Sequence, residues 1–472
     1  MSSQIVEASP SKFFFMKMLT RDIELKAAIL DLLDNCIDGA IRVLGPDHIE
    51  PSENKYERFH AELSFDGDSI TLKDNCGGIT KEIAQQYAFK FGREDYSRDA
   101  NIPTVGMYGI GMKRAIFKIG TTCSIETRTS SDHFRVDIPL DWENSEYDWS
   151  FPLTDLTQEE GECSEEGTVI TISGLHDSIR REIFGNNSSF IEDLKEEIAT
   201  HYAYLIDQGF DINVGGTQIE PVQVYFALNN NIQPYVYEAT IDDVTISLII
   251  GFREHMISED EEEEEKEHQK KSQDAGWTIV CNDRVVVYRN KERVTGWGET
   301  PVPQYHTQFI NISGVVEFKS LNASALPLTT TKRGIDANSE LYAYVKDFMK
   351  EGLKIFTGHT NTWKKKREEE KELYSQATNL TARQAIRAIL DNHSSNVSSP
   401  TNRFNKESTV DQIRFKPELP KPHEDNKTKT IRFTKQLDEI AIVSQHLFED
   451  SEVDPSSVGA ECFDQILSEI KK

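Results

Sequence analysis

Asp31, Asp34, Asn35 and Asp38 stand at i, i+3, i+4 and i+7 in the stretch DLLDNCIDGA. On an α-helix that spacing makes one narrow polar stripe. Leu25, Ala28, Ile29, Leu32, Leu33, Cys36, Ile37 and Ala40 cover the rest of the cylinder, and a helix apolar nearly all round is a buried one. The stripe is expected to face an internal wet pocket. The exposed edge of a surface helix is the alternative, but Asp and Asn are poor helix formers, and Lys and Glu would serve a solvated face better. Carboxylates lining a pocket call for a cation. If the ligand is itself anionic, a divalent metal must lie between them.

Three further stretches carry similar chemistry. In TLKDNCGGIT (71–80), Asp74 ends a strand and can accept a hydrogen bond from an exocyclic amine such as that of adenine. Gly77 and Gly78 let the backbone approach a flat base, although a tight turn uses the same residues. GMYGIGMKRAIFKIG (106–120) sets Gly106, Gly109 and Gly111 before an amphipathic helix. Free N–H groups at a helix start bind phosphate, and Lys113 adds positive charge; the alternative is a flexible hinge. Gly111-Met112-Lys113-Arg114 lacks the Gly-Lys-Ser/Thr of a Walker A loop, and Arg114 replaces the third glycine of a dinucleotide fingerprint. In EEGTVITIS (165–173), Gly167-Thr168 opens a strand, and its hydroxyl can reach a ligand or an ordered water.

The elements that must position these groups read as mixed α/β. HAELSFDGDSITLK (60–73) is a hairpin around an Asp-Gly turn. A helix is expected near 80–91, then a polar loop and the glycine-rich helix start at 106–119. Strands follow at 121–128, 133–139 and 167–173, a long helix at 188–206, and a second hairpin at DINVGGTQIE, closing a first domain at 1–220. A second domain (221–358) has strands near 244–252, 277–288 and 310–318, a helix near 339–356, and an acidic, solvated loop at 258–271. Residues 359–435 read as a charged connector and flexible linker, the Ser/Asn/Pro/Lys-rich part at 391–430. Residues 436–472 regain helical periodicity through Leu437, Ile440, Ala441, Ser444 and Leu447, then Phe463, Ile466, Leu467 and Ile470. This helical tail is expected to dock a partner or a second copy.

A chain of 472 residues with net charge −28 has room for two or three domains. Its charge disfavours non-specific binding of the whole molecule to a polyanion. Six cysteines without a CxxC pair suit a reducing, cytoplasmic setting and give no zinc site. FFFMKML is too short to span a membrane, and neither a signal peptide nor a transmembrane helix is expected.

The order of the four motifs resembles the GHKL ATPase superfamily: DNA gyrase B, ninety-kilodalton heat-shock chaperones, histidine kinases and MutL. The likeness extends over about the first 175 residues. FKFGRED followed by GMYGIGMKRA is similar to microrchidia (MORC)-type ATPases. The resemblance implies a two-layer α/β sandwich holding ATP under a mobile lid at 92–108. It is followed by an α+β transducer-like domain and the small helical C-terminal segment. Asn35 would hold Mg²⁺. Asp74, Gly78 and Thr168 would meet the adenine, and Arg93, Gly106, Gly109, Gly111 and Lys113 the phosphates. Asp31 takes the place of the general base, where the superfamily has glutamate, and Cys76 stands where it has glycine. Lys332, in LPLTTTKRGID, would reach the γ-phosphate from the transducer loop.

The function this implies is an ATPase clamp, with Mg·ATP and slow hydrolysis gating lid order and homodimer closure, in a DNA-related or defence process. A nucleotide-sensing interaction module or chaperone-like protein with little turnover is the alternative. A histidine kinase is disfavoured, because no histidine precedes the first motif. Mild basic enrichment in 401–435 is the one hint of a nucleic-acid partner at the C-terminal end, beside a protein partner.

Overall fold

The computed structural model describes residues 11–45, 54–91, 110–139, 142, 148–157, 159–186, 188–253, 275–329, 334–364, 366–374, 376–392, 412–422, 431–432 and 434–471. The expected lid and the acidic loop lie outside them.

The chain opens with α1 (Lys12–Arg21), capped by the Ser11 hydroxyl, and α2 (Leu25–Leu44). The hairpin β1 (His60–Asp66) and β2 (Ser69–Asp74) turns at Gly67, whose N–H donates to the Asp66 carboxylate. The helix expected at 80–91 is one turn, α3 (Lys81–Ile83), running into a π-turn. Then come α4 (Gly111–Ile119), β3 (Gly120–Arg128), β4 (His133–Ile138), β5 (Leu153–Asp155) and β6 (Gly167–Leu175). The long helix expected at 188–206 is broken. After α5 (Asp177–Phe184), α6 (Phe190–His201) and α7 (Ala203–Asp207) meet at Tyr202, whose buried hydroxyl bonds to α2. β7 (Asp211–Val214) and β8 (Thr217–Gln218) complete an eight-stranded sheet of order β5-β4-β3-β6-β2-β1-β7-β8. All neighbours are antiparallel except β1 and β7. Every second residue of β2 is buried, as a sheet with one covered face requires. α2 and α4 form the second layer, burying Leu32, Ile37 and Ile116 with Leu72, Ile125 and Ile170.

The second domain follows as β9 (Tyr225–Leu228), β10 (Tyr235–Ile241), β11 (Val244–Phe252), β12 (Gly276–Cys281), β13 (Arg284–Asn290) and β14 (Ile312–Lys319). Where one strand over 277–288 was expected, β12 and β13 form a hairpin. Asn282 and Asp283 turn it, both at positive φ, the backbone of a tight two-residue turn. The long α8 (Glu340–Trp363) covers one face of the sheet through Tyr342, Val345, Met349, Leu353 and Phe356.

The expected connector and linker at 359–435 hold more structure than composition suggested. α8 runs on to Trp363 and is followed by α9 (Arg367–Tyr374), β15 (Thr378–Thr381), α10 (Ala382–Asn392) and β16 (Gln412–Phe415). β15 pairs with β9, and β16 is the edge strand of the six-stranded sheet β13-β12-β14-β11-β10-β16. α10 covers the sheet's second face with Ala385, Ile386 and Ile389. The reason is apolar surface: both sheet faces need cover, and α8 supplies only one. Residues 1–422 form one compact unit and 423–472 another. The latter carries α11 (Leu437–Phe448), with a Gln436/Glu439 capping box, and α12 (Pro455–Ile470), capped by Asp454. Among the described residues no helix is long and apolar enough to cross a membrane.

Candidate functional site

From Ala27 to Ile41, α2 is buried at every position except Asn35. The acidic stripe therefore has one opening. Asp34 is 2% exposed, and its carboxylate meets Arg284 Nη1 at 2.5 Å and the Tyr202 hydroxyl at 2.9 Å. Asp31 Oδ2 accepts from Arg114 Nε at 2.7 Å and Nη2 at 2.6 Å. Asp38 is buried and acts electrostatically on Arg284. Much of the cation the stripe called for is thus arginine, supplied by α4 and by the second domain. Asp34, one turn along from Asp31, is held in that pairing.

Asn35 differs. Its Nδ2 donates to the Asp31 carbonyl at 2.8 Å, which leaves Oδ1 as the side-chain oxygen available to a hard cation. Among the described residues no group of three or more His, Cys, Asp or Glu is arranged to hold a metal. A single neutral oxygen beside two arginine-paired carboxylates does not suit zinc or calcium. It suits Mg²⁺, which keeps waters and takes most of its ligands from phosphates.

β2 and β6 form the other end of the site. Their register sets Asp74 opposite Thr168. The Asp74 carboxylate is buried and accepts from the Cys76 N–H at 2.8 Å. Burial raises its pKa, against the backbone of Cys76 and the Cys36 thiol, which favour the charged form. Gly77 and Gly78 both have positive φ, and a Cβ on Gly78 would lie 2.2 Å from the Arg128 carbonyl. Gly167 is tighter still: a Cβ there would lie 1.9 Å from the Asp74 carbonyl. Here backbone packs on backbone, leaving a carboxylate at a narrow strand end.

Gly111 opens α4 directly against Asp31, its hypothetical Cβ at ordinary contact distance, 3.6 Å. Lys113 is 2% exposed, with its ammonium 6.0 Å from the Phe91 ring centroid. Two residues into α4, it falls on the face that also buries Met112, Ile116 and Phe117. Arg93, Gly106, Gly109 and Lys332 lie outside the described residues.

Four supporting residues escaped the sequence reading. Besides Arg114 and Arg284, these are Thr127 and Glu126 on β3. The Thr127 hydroxyl takes the Ile79 N–H at 2.8 Å, reaches the Gly167 carbonyl at 3.2 Å and sits 3.4 Å from the Thr168 hydroxyl. It ties the glycine turn to β6. Glu126 accepts from the N–H groups of Glu162 and Cys163 at 2.7–2.9 Å and from His133 Nε2 at 3.1 Å. It holds the segment that leads into Gly167. Burial would raise its pKa, but these donors outweigh burial and lower it.

Residues 23–168 match the sequence profile of the family described as histidine kinase-, DNA gyrase B-, and HSP90-like ATPase. The match ends at Thr168, so it takes in both ends of the site. A search of curated proteins returns no match. The chain therefore has an N-terminal domain of this ATP-binding type, then a further α/β domain and a C-terminal helical segment.

Proposed function

We propose that this protein binds ATP with Mg²⁺ and hydrolyses it slowly, and that nucleotide binding closes a homodimer. The observation that carries the reading is Asn35, the one exposed position between Ala27 and Ile41 of α2, with Asp31 a turn away and Asp74 at the neighbouring strand end. Asn35 Oδ1 would hold Mg²⁺, which when bound would bridge the protein to the phosphates and neutralise their charge. Asp74 accepts from the adenine amino group, and Gly78 and Thr168 shape the space around the ring. Gly111 sets the α4 N-terminus towards the phosphates, with Gly106 and Gly109 before it. Arg93 and Lys113 add positive charge on that side.

Asp31 is the general base. It takes a proton from the water that attacks the γ-phosphorus, and Arg114 orients it. Aspartate is one methylene shorter than the glutamate usual in this superfamily, and a misplacement of about 1 Å can cost on the order of a hundredfold in rate. Turnover is therefore slow. Asp31→Asn should keep Mg·ATP affinity and abolish hydrolysis. Wild-type turnover in that variant would remove Asp31 from the role.

The clamp rests on the lid at 92–108 and on Lys332 contacting the γ-phosphate. A non-hydrolysable ATP analogue should give a dimer by light scattering where ADP gives a monomer; a monomer throughout would sink the clamp. The microrchidia-type likeness favours DNA-related or defence work, with the C-terminal segment meeting nucleic acid or protein. Six free cysteines fit the reducing cytoplasm. The second reading, a nucleotide sensor with little turnover, is favoured by the Asp31 carboxylate being engaged by Arg114.

A further inference from the structure

The turn between β12 and β13 belongs to the second domain, yet it is buried against the first. Asp283 is 0% exposed. It meets Lys55 at 2.8 Å and the Tyr56 hydroxyl at 3.1 Å, both from the first domain. It also meets Arg383 at 2.6 Å and Lys319 at 3.4 Å, from the second. Asn282 fixes the other side of the turn by exchanging hydrogen bonds with the Ser320 backbone at 3.0 Å. The turn is therefore held from both domains, and the direction of its next residue is set.

That residue is Arg284, fully enclosed, with Nη1 on Asp34. Its electrostatic neighbours are Asp34, Tyr202, Asp31 and Asp38, a list that spans the acidic stripe. Asp34 adjoins Asn35. The Tyr202 hydroxyl shares its one proton between the Asp34 carboxylate at 2.9 Å and the Leu30 carbonyl at 3.0 Å. Two turns of α2 are thus tied at the residues flanking Asp31 and Asn35.

We infer that Arg284 is a positioning residue of the nucleotide site, delivered by the second domain. Through Asp34 it fixes the rotation of α2 about its axis, and so the direction in which Asn35 and Asp31 point. The first domain alone has an incomplete site, because without the β12–β13 turn the buried Asp34 carboxylate loses the Arg284 guanidinium it meets. Breaking a buried pair in this way costs the fold heavily. This inference deepens the reading above and rests on it for the identity of the ligand.

The test uses the full chain with three variants: Arg284→Lys, Arg284→Met, and the apolar exchange Asp34→Leu with Arg284→Met. An apolar exchange of a buried ion pair commonly preserves stability, so it separates packing from positioning. Two readouts are taken, amide hydrogen exchange across residues 30–38 without nucleotide, and affinity for Mg·ATP. Arg284→Met should speed exchange across α2 by about tenfold, with β3 and β6 unchanged. Mg·ATP affinity should fall by about 10–100-fold, the usual cost of losing a group that orients a metal ligand. Arg284→Lys should recover part of both. The double variant should regain wild-type thermal stability yet keep the affinity loss. Full recovery of affinity in the double variant would overturn the inference, as would unchanged α2 exchange in Arg284→Lys and Arg284→Met. If Arg284→Met fails to fold, the other two variants decide. If the wild type binds no Mg·ATP, the ATP reading fails, while the exchange data still judge the hold on α2.

Discussion

Replacing Gly167 with alanine adds one methyl where the structure has no room. The new Cβ would lie 1.9 Å from the Asp74 carbonyl oxygen and 2.8 Å from the Asn75 Cα. Both are backbone, so no side chain can swing aside. To reach an ordinary contact of about 3.4 Å the β2 end must retreat from β6 by roughly 1.5 Å, and overpacking of this kind costs about 1–3 kcal/mol. In a domain of 150–250 residues that lowers the melting temperature by about 2–4 °C per kcal/mol. The retreat moves Asp74 away from the base it is proposed to hold. A hydrogen bond to a charged group contributes about 1.5–3 kcal/mol, so ATP affinity should fall by about 10–150-fold. Discrimination between ATP and GTP should shrink with it. Calorimetric titration of the two nucleotides reads both effects. Gly67→Ala is the control, since a Cβ there meets nothing within 4 Å. If Gly167→Ala melts lower but keeps wild-type affinity and base preference, the base does not sit at the β2–β6 junction.

Three other outcomes are expected. Arg114→Ala should lower kcat by about 10–100-fold with little change in KM, because Asp31 loses its orienting partner while Asn35 and Asp74 keep theirs; steady-state kinetics check this. Glu126→Gln should cost about 1–3 kcal/mol at neutral pH. The Glu126 pKa is lowered in the fold, so its contribution is full above the ordinary glutamate pKa and vanishes as pH falls through the depressed value. Calorimetric melts should therefore converge with wild type as the pH falls into acid, and a gap that does not narrow would contradict the assignment. Asp74→Asn should melt higher than wild type at neutral pH while losing nucleotide affinity. Burial raises the Asp74 pKa, so ionising it costs the fold increasingly as pH rises through that value, and the gain should disappear below the ordinary aspartate pKa.

What could be read in advance was whatever a local period encodes. Asp31, Asp34, Asn35 and Asp38 declare a helix stripe by spacing alone, and Asp74 and Thr168 announce themselves as strand ends. Their pairing across the sheet is non-local, and only the superfamily resemblance put them in one site. The partners of the stripe could not be read, because nothing near Arg114 or Arg284 says which carboxylate each will meet. The burial of Lys113 could not be read either: glycines before a lysine suggest phosphate, and nothing in that pattern says that the phase of α4 turns the residue inward. The β12–β13 turn was missed because Asn282-Asp283 lacks the glycine that usually marks such turns. β16 is four residues in a stretch rich in proline, asparagine and lysine, too short for a pattern to emerge.

That short strand has a consequence for the making of the protein. β16 covers the outer edge of β10, and a bare strand edge is a template for pairing with other chains. The roughly 170 residues between Ile241 and Gln412 take a ribosome about 10–35 s at about 5–20 residues per second. Throughout that interval Tyr235–Ile241 can already zip to β11 while its other side stays open. Chains truncated before Gln412, or stalled there during synthesis, carry the same bare edge permanently. They should associate with one another on a crowded polysome more readily than the finished chain, whose edge there is a strand of four residues.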